Sequence, residues 1–468
     1  MTRREFLKKA FLGAGLLLTN CSAWGRERGR DRSGPLPISA DNPSIAFTRR
    51  RCCGCGLCRG FCADVKGVFG RAVPARADAC TYCGQCTKFC PERAITERYS
   101  YEAVNRAIAA PDRIVVATTA PAIRVALGEM YGMAPGTDVE GRIVGALRGI
   151  GVDHVVDATF AADLTVMEEA SELLQRIRTA GPLPMFTSCC PAWIRFARLF
   201  YPRLLPNLST VKSPLLMQGA LIKTHFAQRM GIDPARITTV ALTPCTAKKA
   251  EILMQGMNSA GLSHGAPAMR DVDFALTCRE IAYLLNLHRV DFPRSAAAPY
   301  SPLMGTGSGA GMIFGNSGGV MEASLRTAFR LLNDRDPPAG FFNLTPVRGP
   351  GNVRRATVDM GARSLNVAVV HGTGGARGFL DEVQRGTSGY DFIEFMACSG
   401  GCVGGGGQPI PANPALAMRL RTETLFRRDE GKPVRMSHDN PQITAIYRDF
   451  LGEPMGARAM ELLHTYHD

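Results

Sequence analysis

Beyond residue 100 the chain alternates short apolar runs with longer amphipathic stretches. Residues 114–117, 154–157, 184–186, 238–242, 365–370 and 392–396 are apolar runs that predict strands. The stretches between them are long enough for helices, so the pattern predicts an α/β fold with parallel sheets. In open α/β sheets ligands bind beyond the carboxyl ends of the strands. Three of the runs end on cysteines: Cys189 and Cys190 follow the third, Cys245 the fourth, and Cys398 with Cys402 the last. These thiols are therefore expected to share one crevice. Gly400, Gly401 and residues 404–407 around Cys402 are glycines that let backbone approach a bulky group closely.

Upstream the pattern is different. Residues 45–100 hold eight cysteines in two C-x2-C-x2-C-x3-C runs, Cys52, Cys55, Cys58, Cys62 and Cys80, Cys83, Cys86, Cys90, the second followed by Pro91. Closely spaced thiolates converge on a metal, whereas disulfide partners are usually farther apart. Three thiolates from one turn plus a fourth from elsewhere suit a 4Fe-4S cubane, and in two-cluster ferredoxins the fourth cysteine of each run serves the other cluster. The expected sets are Cys52, Cys55, Cys58, Cys90 and Cys80, Cys83, Cys86, Cys62, in a small ferredoxin-like α+β domain. A pair of structural zinc sites is the rival reading. Cys53 fits neither run.

With 468 residues, 46% hydrophobic and 21% charged, the chain can bury the cores of two to four domains. The net charge of +14 is concentrated early, since residues 1–51 contain eleven Lys/Arg against four Asp/Glu. Nucleic-acid binding would want basic residues interleaved with aromatics, and only 7% of the chain is aromatic. A basic face that meets an acidic electron carrier suits the charge better. Arg3 and Arg4 precede an apolar stretch at 10–18, too short for the ~20 residues of a bilayer span. This resembles a twin-arginine export signal, which carries folded proteins out of the cytoplasm. Residues 18–21 loosely resemble a lipoprotein box, with Asn20 where a small residue is expected, so a lipid anchor at Cys21 is left open.

The segments around the later cysteines read Thr187-Ser188-Cys189-Cys190-Pro191-Ala192-Trp193, Thr243-Pro244-Cys245-Thr246-Ala247-Lys248-Lys249-Ala250-Glu251 and Glu394-Phe395-Met396-Ala397-Cys398-Ser399-Gly400-Gly401-Cys402. They resemble the three signatures of the iron-only, or [FeFe], hydrogenases. The resemblance implies a two-lobed catalytic domain around a buried H-cluster, a 4Fe-4S cubane bridged to a two-iron unit with CO, cyanide and an azadithiolate. It implies Cys190, Cys245, Cys398 and Cys402 as ligands, with Cys402 the bridge. Cys189 becomes the proton-passing thiol and Lys248 the cation beside a cyanide, while Pro121, Ser213, Phe314 and Met396 line the cofactor. Glu169, Glu172 and Arg176 have the spacing of one helix face, and the resemblance extends them to a relay of Cys189, Glu169, Ser209, Glu172 and Arg176.

Three positions depart from the family pattern. Thr243 replaces a common methionine, Leu215 a common glutamine, and Ala122 a residue with a hydroxyl. Residues 372–378 loosely mimic a dinucleotide loop without the rest of a Rossmann unit, and Cys278 reads as structural. The resulting organisation is 1–30 export signal and start of a linker, 31–44 linker, 45–100 ferredoxin-like domain, 101–410 catalytic domain and 411–468 a segment resembling the family's small subunit. The implied reaction interconverts H2 with protons and electrons, in the uptake direction if the chain is periplasmic. Implied partners are a c-type cytochrome or ferredoxin, cluster maturation proteins and the export machinery. A hydrogen sensor and an iron-sulfur assembly factor are the alternatives within the superfamily.

Overall fold

The computed structural model describes residues 36–68, 77–349, 351–386 and 389–467. The expected export signal, Cys21 and residues 31–35 of the linker lie outside the described residues. Among the described residues no helix is long and apolar enough to cross a membrane.

The six apolar runs after residue 100 all form strands. They are β3 (Ile114–Thr119), β4 (His154–Asp157), β5 (Met185–Phe186), β6 (Ile237–Thr243), β9 (Ser364–His371) and β10 (Phe392–Met396). With β7 (Phe274–Thr277), a parallel sheet runs in the order β4-β3-β6-β7. With β8 (Val353–Asp359), a second sheet runs β5-β10-β9-β8, parallel except for the β8–β9 pair. The apolar pattern did not announce β8 because its Val-Arg-Arg-Ala-Thr-Val-Asp sequence carries three charges. Its place at the sheet edge accounts for Arg355 and Asp359, which face solvent and discourage further pairing, while Arg354 is buried and donates to Ser317 Oγ at 2.9 Å. β7 is a four-residue strand that runs straight into a helix, so its period is too short to read.

Before these sheets, β1 (Ile45–Phe47) pairs antiparallel with β2 (Ile95–Glu97), and α1 (Leu57–Asp64) lies between them in sequence. This region does not bury a core of its own. Leu36, Ile45, Val68, Ala79, Cys80 and Cys86 share one apolar cluster with Phe186, Trp193, Phe196 and Phe379 of the larger body. A segment of this size has only a marginal core to itself. The shared core thus fixes the eight cysteines relative to the second sheet.

The helix that follows β4, α2 (Ala158–Arg178), is buried on nearly every side. Asp157 caps its start by accepting from the Thr159 N–H at 2.9 Å, and the Arg124 guanidinium meets the same carboxylate at 2.7 Å. α3 (Pro214–Leu221) and α4 (Gly319–Asn333) pack on its flanks. A helix hydrophobic all round belongs in a core, and here it also carries Asp163, Glu168, Glu169 and Glu172, all buried. Their partners decide what the helix can do.

The chain after residue 411 is held by buried charge. α5 (Pro414–Glu430) brings Asp429 to Arg326 of α4 at 2.8 Å, and Arg326 also meets Glu322 at 2.5 Å. Arg348 and Arg435 complete the group. Asp163 accepts from Ser437 and Asn440 side chains at 2.8 and 2.9 Å. Removing the fully buried Arg326 leaves two carboxylates short of a partner, so Arg326→Ala should cost about 3 kcal/mol in chemical denaturation. Limited proteolysis should then cut first near residue 411. A loss under ~1 kcal/mol would mean that Arg348 and Arg435 suffice.

Candidate functional site

The eight upstream cysteines ring two cavities. Cys52, Cys55, Cys58 and Cys90 line the first, with Leu57, Phe89 and Pro91. Cys62, Cys80, Cys83 and Cys86 line the second, with Leu36, Ile45 and Phe61. Cys58 and Cys62 sit one turn apart on α1 but serve different cavities. Phe61 of the second cavity stacks on Phe89 of the first at 4.2 Å between ring centroids. Burial pushes the Cys80 thiol up to about 11, so a metal that takes it must displace a proton. Among the described residues no three Cys, His, Asp or Glu side chains converge on a point suited to a single ion. Each set surrounds a space, which fits a polynuclear cluster.

The second site lies at the carboxyl ends of β5, β6 and β10. Cys190 stands at the start of the helix Pro191–Phe200, Cys245 two residues past β6, and Cys398 two residues past β10. The Ala397 N–H donates to Cys190 Sγ at 3.5 Å. Burial, then the Cys398 thiol, pushes Cys190 up to about 11; burial, then Cys190 and Cys398, pushes Cys402 up to about 12. Cys245 is raised by burial and by Cys398, Cys190 and Cys402. Cys245 and Cys402 both feel Cys190 and Cys398, so the four thiols lie near one space. The turn from Cys398 to Cys402 passes through Gly400 and Gly401 at φ +75° and +87°. A Cβ at Gly401 would lie 2.6 Å from Ser317 N, so this turn requires glycine.

The two regions touch through backbone. Gln85, beside Cys86, donates to Cys398 Sγ at 3.3 Å and to Gly404 O at 2.8 Å. Lys66 Nζ donates to Ala397 O at 2.9 Å, and Thr246 Oγ1 to Tyr82 O at 2.8 Å. A Cβ on Gly406 would sit 1.9 Å from Cys83 O. Two of the glycine-rich stretches thereby find their use. The loop at 372–378 packs Gly374 against Val65, and Arg377 donates to Gly67 O at 3.0 Å. Backbone of the cysteine-rich region fills the space a nucleotide would need.

Cys189 packs with Cys190 against an apolar wall that includes Phe314, Met396, Ala162 and Val166. Burial and then Glu169 hold the Cys189 thiol well above its ordinary range. Lys248 is buried, donating to Cys189 O at 3.1 Å and pairing with Glu251 at 2.7 Å. Burial works against its charge, but Glu251 outweighs that and raises it. Ser213 Oγ is buried with no hydrogen-bond partner among the described residues. Pro121 is buried at the head of the short helix Pro121–Arg124. Of the three departures, Thr243 Oγ1 accepts from Cys245 N at 3.3 Å, Ala122 packs in the apolar group that Cys402 adjoins, and Leu215 packs with Ile252 and Val272. Cys278 donates to Gln408 Oε1 at 2.9 Å, deep in the fold.

On α2, burial and then Glu172 push Glu169 up to about 8. Ser324 of α4 donates to Glu169 Oε2 at 3.3 Å, and Oε1 is buried without a partner. Glu172 accepts from Ser209 Oγ at 2.7 Å, from Thr210 N at 3.1 Å and from Arg176 at 2.6 Å. Arg176 also donates to Leu208 O at 2.7 Å, and its side chain is 11% exposed. Ser209, Glu172 and Arg176 are thus directly joined, and Glu169 sits between them and Cys189. Sequence reading missed Ser324, Thr210 and Gln85. It also missed His464, which joins Thr210 Oγ1 at 2.8 Å to Glu168 at 3.0 Å and ties the C-terminal segment to this group. Gln85 fills an unspecified position of the second cysteine run, the others lie in no motif, and a lone polar side chain has no spacing to betray it.

Four thiols around one space, an orphaned buried hydroxyl, a buried lysine and an apolar wall fit a large iron-sulfur group with polar ligands. Residues 113–406 match the family model described as iron only hydrogenase large subunit, C-terminal domain. Residues 416–468 match iron hydrogenase small subunit, and 74–96 match a 4Fe-4S binding domain. The chain is 43% identical to the NADP-reducing hydrogenase subunit HndD of Solidesulfovibrio fructosivorans, over 88% of this chain and 69% of that one. It is 44% identical to the periplasmic [Fe] hydrogenase large subunit of Nitratidesulfovibrio vulgaris, over 66% of this chain and 72% of that one. A solved structure of a variant of [FeFe]-hydrogenase HydA1 from Chlamydomonas reinhardtii superposes with a TM-score of 0.69 at 36% identity, over 78% of this chain and 98% of that one. The chain therefore belongs to the iron-only, or [FeFe], hydrogenases, oxidoreductases that interconvert H2 with protons and electrons through iron-sulfur clusters and an H-cluster, and it carries large- and small-subunit regions on one polypeptide.

Proposed function

We propose that this chain oxidises H2 to two protons and two electrons at an H-cluster that Cys190, Cys245, Cys398 and Cys402 would hold, Cys402 serving its two-iron unit as well. The observation that carries the reading is the meeting of these four thiols beside Cys189 and a buried, proton-holding Glu169. When bound, the H-cluster supplies the metal at which H2 is split and the first store for its electrons. Lys248 Nζ and the Ser213 hydroxyl are the polar groups available to its cyanides, while Pro121, Phe314 and Met396 keep water away. A second reading, as sensor or assembly factor, would not need a proton path joined to the thiols.

Cys52, Cys55, Cys58 and Cys90, and Cys80, Cys83, Cys86 and Cys62, would hold two [4Fe-4S] clusters, which would supply the outward route for electrons. Gln85, which touches both Cys398 and the wall of the second cavity, is the short link between centres. Protons take another way. Burial keeps the Cys189 thiol protonated near neutral pH, so it can hand a proton on and take one back. Glu169, beside the Ser324 hydroxyl, accepts it, and Glu172, which holds the Ser209 hydroxyl, forms the outlet with Arg176. The amino-terminal export signal and the likeness to a periplasmic relative support uptake outside the cytoplasm. Electrons then pass to a c-type cytochrome or ferredoxin, and maturation proteins load the clusters before the twin-arginine machinery exports the folded chain.

The test is H2-dependent dye reduction by the fully matured protein; a loaded H-cluster without turnover would sink the enzyme reading. Cys189→Ala should lower turnover by roughly 10²–10⁴-fold and leave the cluster spectra in place. Turnover at the level of the unsubstituted chain would remove Cys189 from the path.

Glu169 has a further signature. Its ordinary value is 4.5 and the fold raises it to about 8, so between those pH values the folded chain holds a proton that the unfolded chain has lost. Stability must therefore fall as pH rises through that window. Glu169→Gln should flatten this slope in pH-dependent denaturation and slow turnover by a comparable factor to Cys189→Ala. An unchanged slope would place the Glu169 carboxyl in a wetter setting than described here.

A further inference from the structure

Glu168 stands next to Glu169 on α2 but serves other partners. Fully buried, it collects three donors from the C-terminal segment: the Tyr447 hydroxyl, the Met455 N–H at 2.7 Å and His464 Nε2 at 3.0 Å. With Glu168 accepting all three, His464 Nε2 carries the hydrogen of its bond. In the neutral ring Nδ1 then accepts from the Thr210 hydroxyl at 2.8 Å. Backbone reinforces this hold. Thr465 N–H donates to Thr210 O at 2.7 Å and Lys212 N–H to Leu463 O at 2.8 Å, an antiparallel bridge that pairs Val211 with His464. His464 directly follows the helix Ala457–Leu463, whose Leu462 and Leu463 share an apolar cluster with Val211 and Met217. The imidazole thus stands on a packed base.

The segment held in this way is short and crowded with function. Ser209 Oγ and Thr210 N–H both donate to Glu172, at 2.7 and 3.1 Å. Ser188, the neighbour of Cys189, donates its hydroxyl to Val211 O at 2.5 Å, and the buried Ser213 ends the run. We infer, on the hydrogenase reading and its proton path, that His464 is a positioning residue for the proton outlet, holding Thr210 so that the Ser209 hydroxyl and the Thr210 N–H stay on Glu172. Leu463 and Thr465 act through backbone that any residue could supply. His464 acts through its ring, which alone joins the Thr210 hydroxyl to a buried carboxylate of α2. Two of the three groups that hold Glu172 therefore depend on the C-terminal segment, and Arg176, one turn along the same helix, is the third. Proton transfer requires donor and acceptor within hydrogen-bond reach, so a Glu172 that swings with Arg176 passes protons more slowly.

The experiment uses the matured full-length chain and follows H2-dependent dye reduction in H2O and D2O, the infrared bands of the loaded centre, and amide hydrogen exchange at residues 209–212. His464→Ala should lower kcat roughly tenfold and leave the KM for H2 and the infrared bands unchanged. Its solvent isotope effect should roughly double as proton departure becomes the slow step, and the Thr210 N–H should exchange about tenfold faster. His464→Gln should restore most of the rate and the protection, because its amide offers one donor and one acceptor to the same two partners. Thr210→Val keeps the side-chain shape, removes the hydroxyl that His464 holds, and should match His464→Ala; it carries the test if His464→Ala fails to fold or to load its clusters. Unchanged kcat and isotope effect in the loaded variant would overturn the positioning role. So would a lower kcat with an unchanged isotope effect, which would make His464 a purely structural residue. Infrared bands without turnover in the unsubstituted chain would overturn the hydrogenase reading instead.

Discussion

Everything in this structure answers to the need to bring four thiols from three distant segments to one buried space. Parallel strands meet that need because β5 and β10 in one sheet and β6 in the other each run parallel to their neighbours and deliver the thiols just past their carboxyl ends. The loops that deliver the thiols must then crowd together. Glycine is required where they do, at Gly401 against Ser317 and at Gly406 against Cys83. The same crowding brings the cysteine-rich region into contact with the catalytic body, so the wiring between centres is a consequence of how the site is built.

Burial has a second consequence, for protons. A carboxyl inside α2 cannot easily carry charge, and a second carboxyl one turn away makes the charge harder still to hold. Glu169 is left as an acid near neutral pH, while Glu172 is anchored by Arg176, Ser209 and the Thr210 N–H. Two like groups on one helix face thus have different duties because their partners differ. The C-terminal segment contributes to this arrangement, since His464 bridges Thr210 and Glu168. It is also locked to the body by the Arg326 group, which explains why it is part of the catalytic fold and not an appendage.

Much of this was readable beforehand. The six apolar runs locate six strands, and the cysteines at their ends locate the crevice, because both depend on local pattern. β8 was hidden because an edge strand tolerates charge. Gln85 and Cys398 are 313 residues apart and meet only through packing, so no spacing could connect them. Ser324 was missed for the same reason. It is a single hydroxyl on a buried helix, and only the position of Glu169 across from it gives it meaning. Residues 372–378 show the opposite error of pattern: glycines that resemble a nucleotide loop serve the close approach of Val65 and Gly67.

The central claim is that Cys190, Cys245, Cys398 and Cys402 hold an H-cluster, with Lys248 and Ser213 beside its cyanides. Infrared spectroscopy of the matured chain tests it most directly, because metal-bound CO and cyanide absorb where protein does not. The account predicts both sets of bands, shifting when H2 replaces inert gas, and a change in the cyanide bands alone in Lys248→Ala or Ser213→Ala. A chain loaded with iron and sulfide that shows no such bands would contradict it.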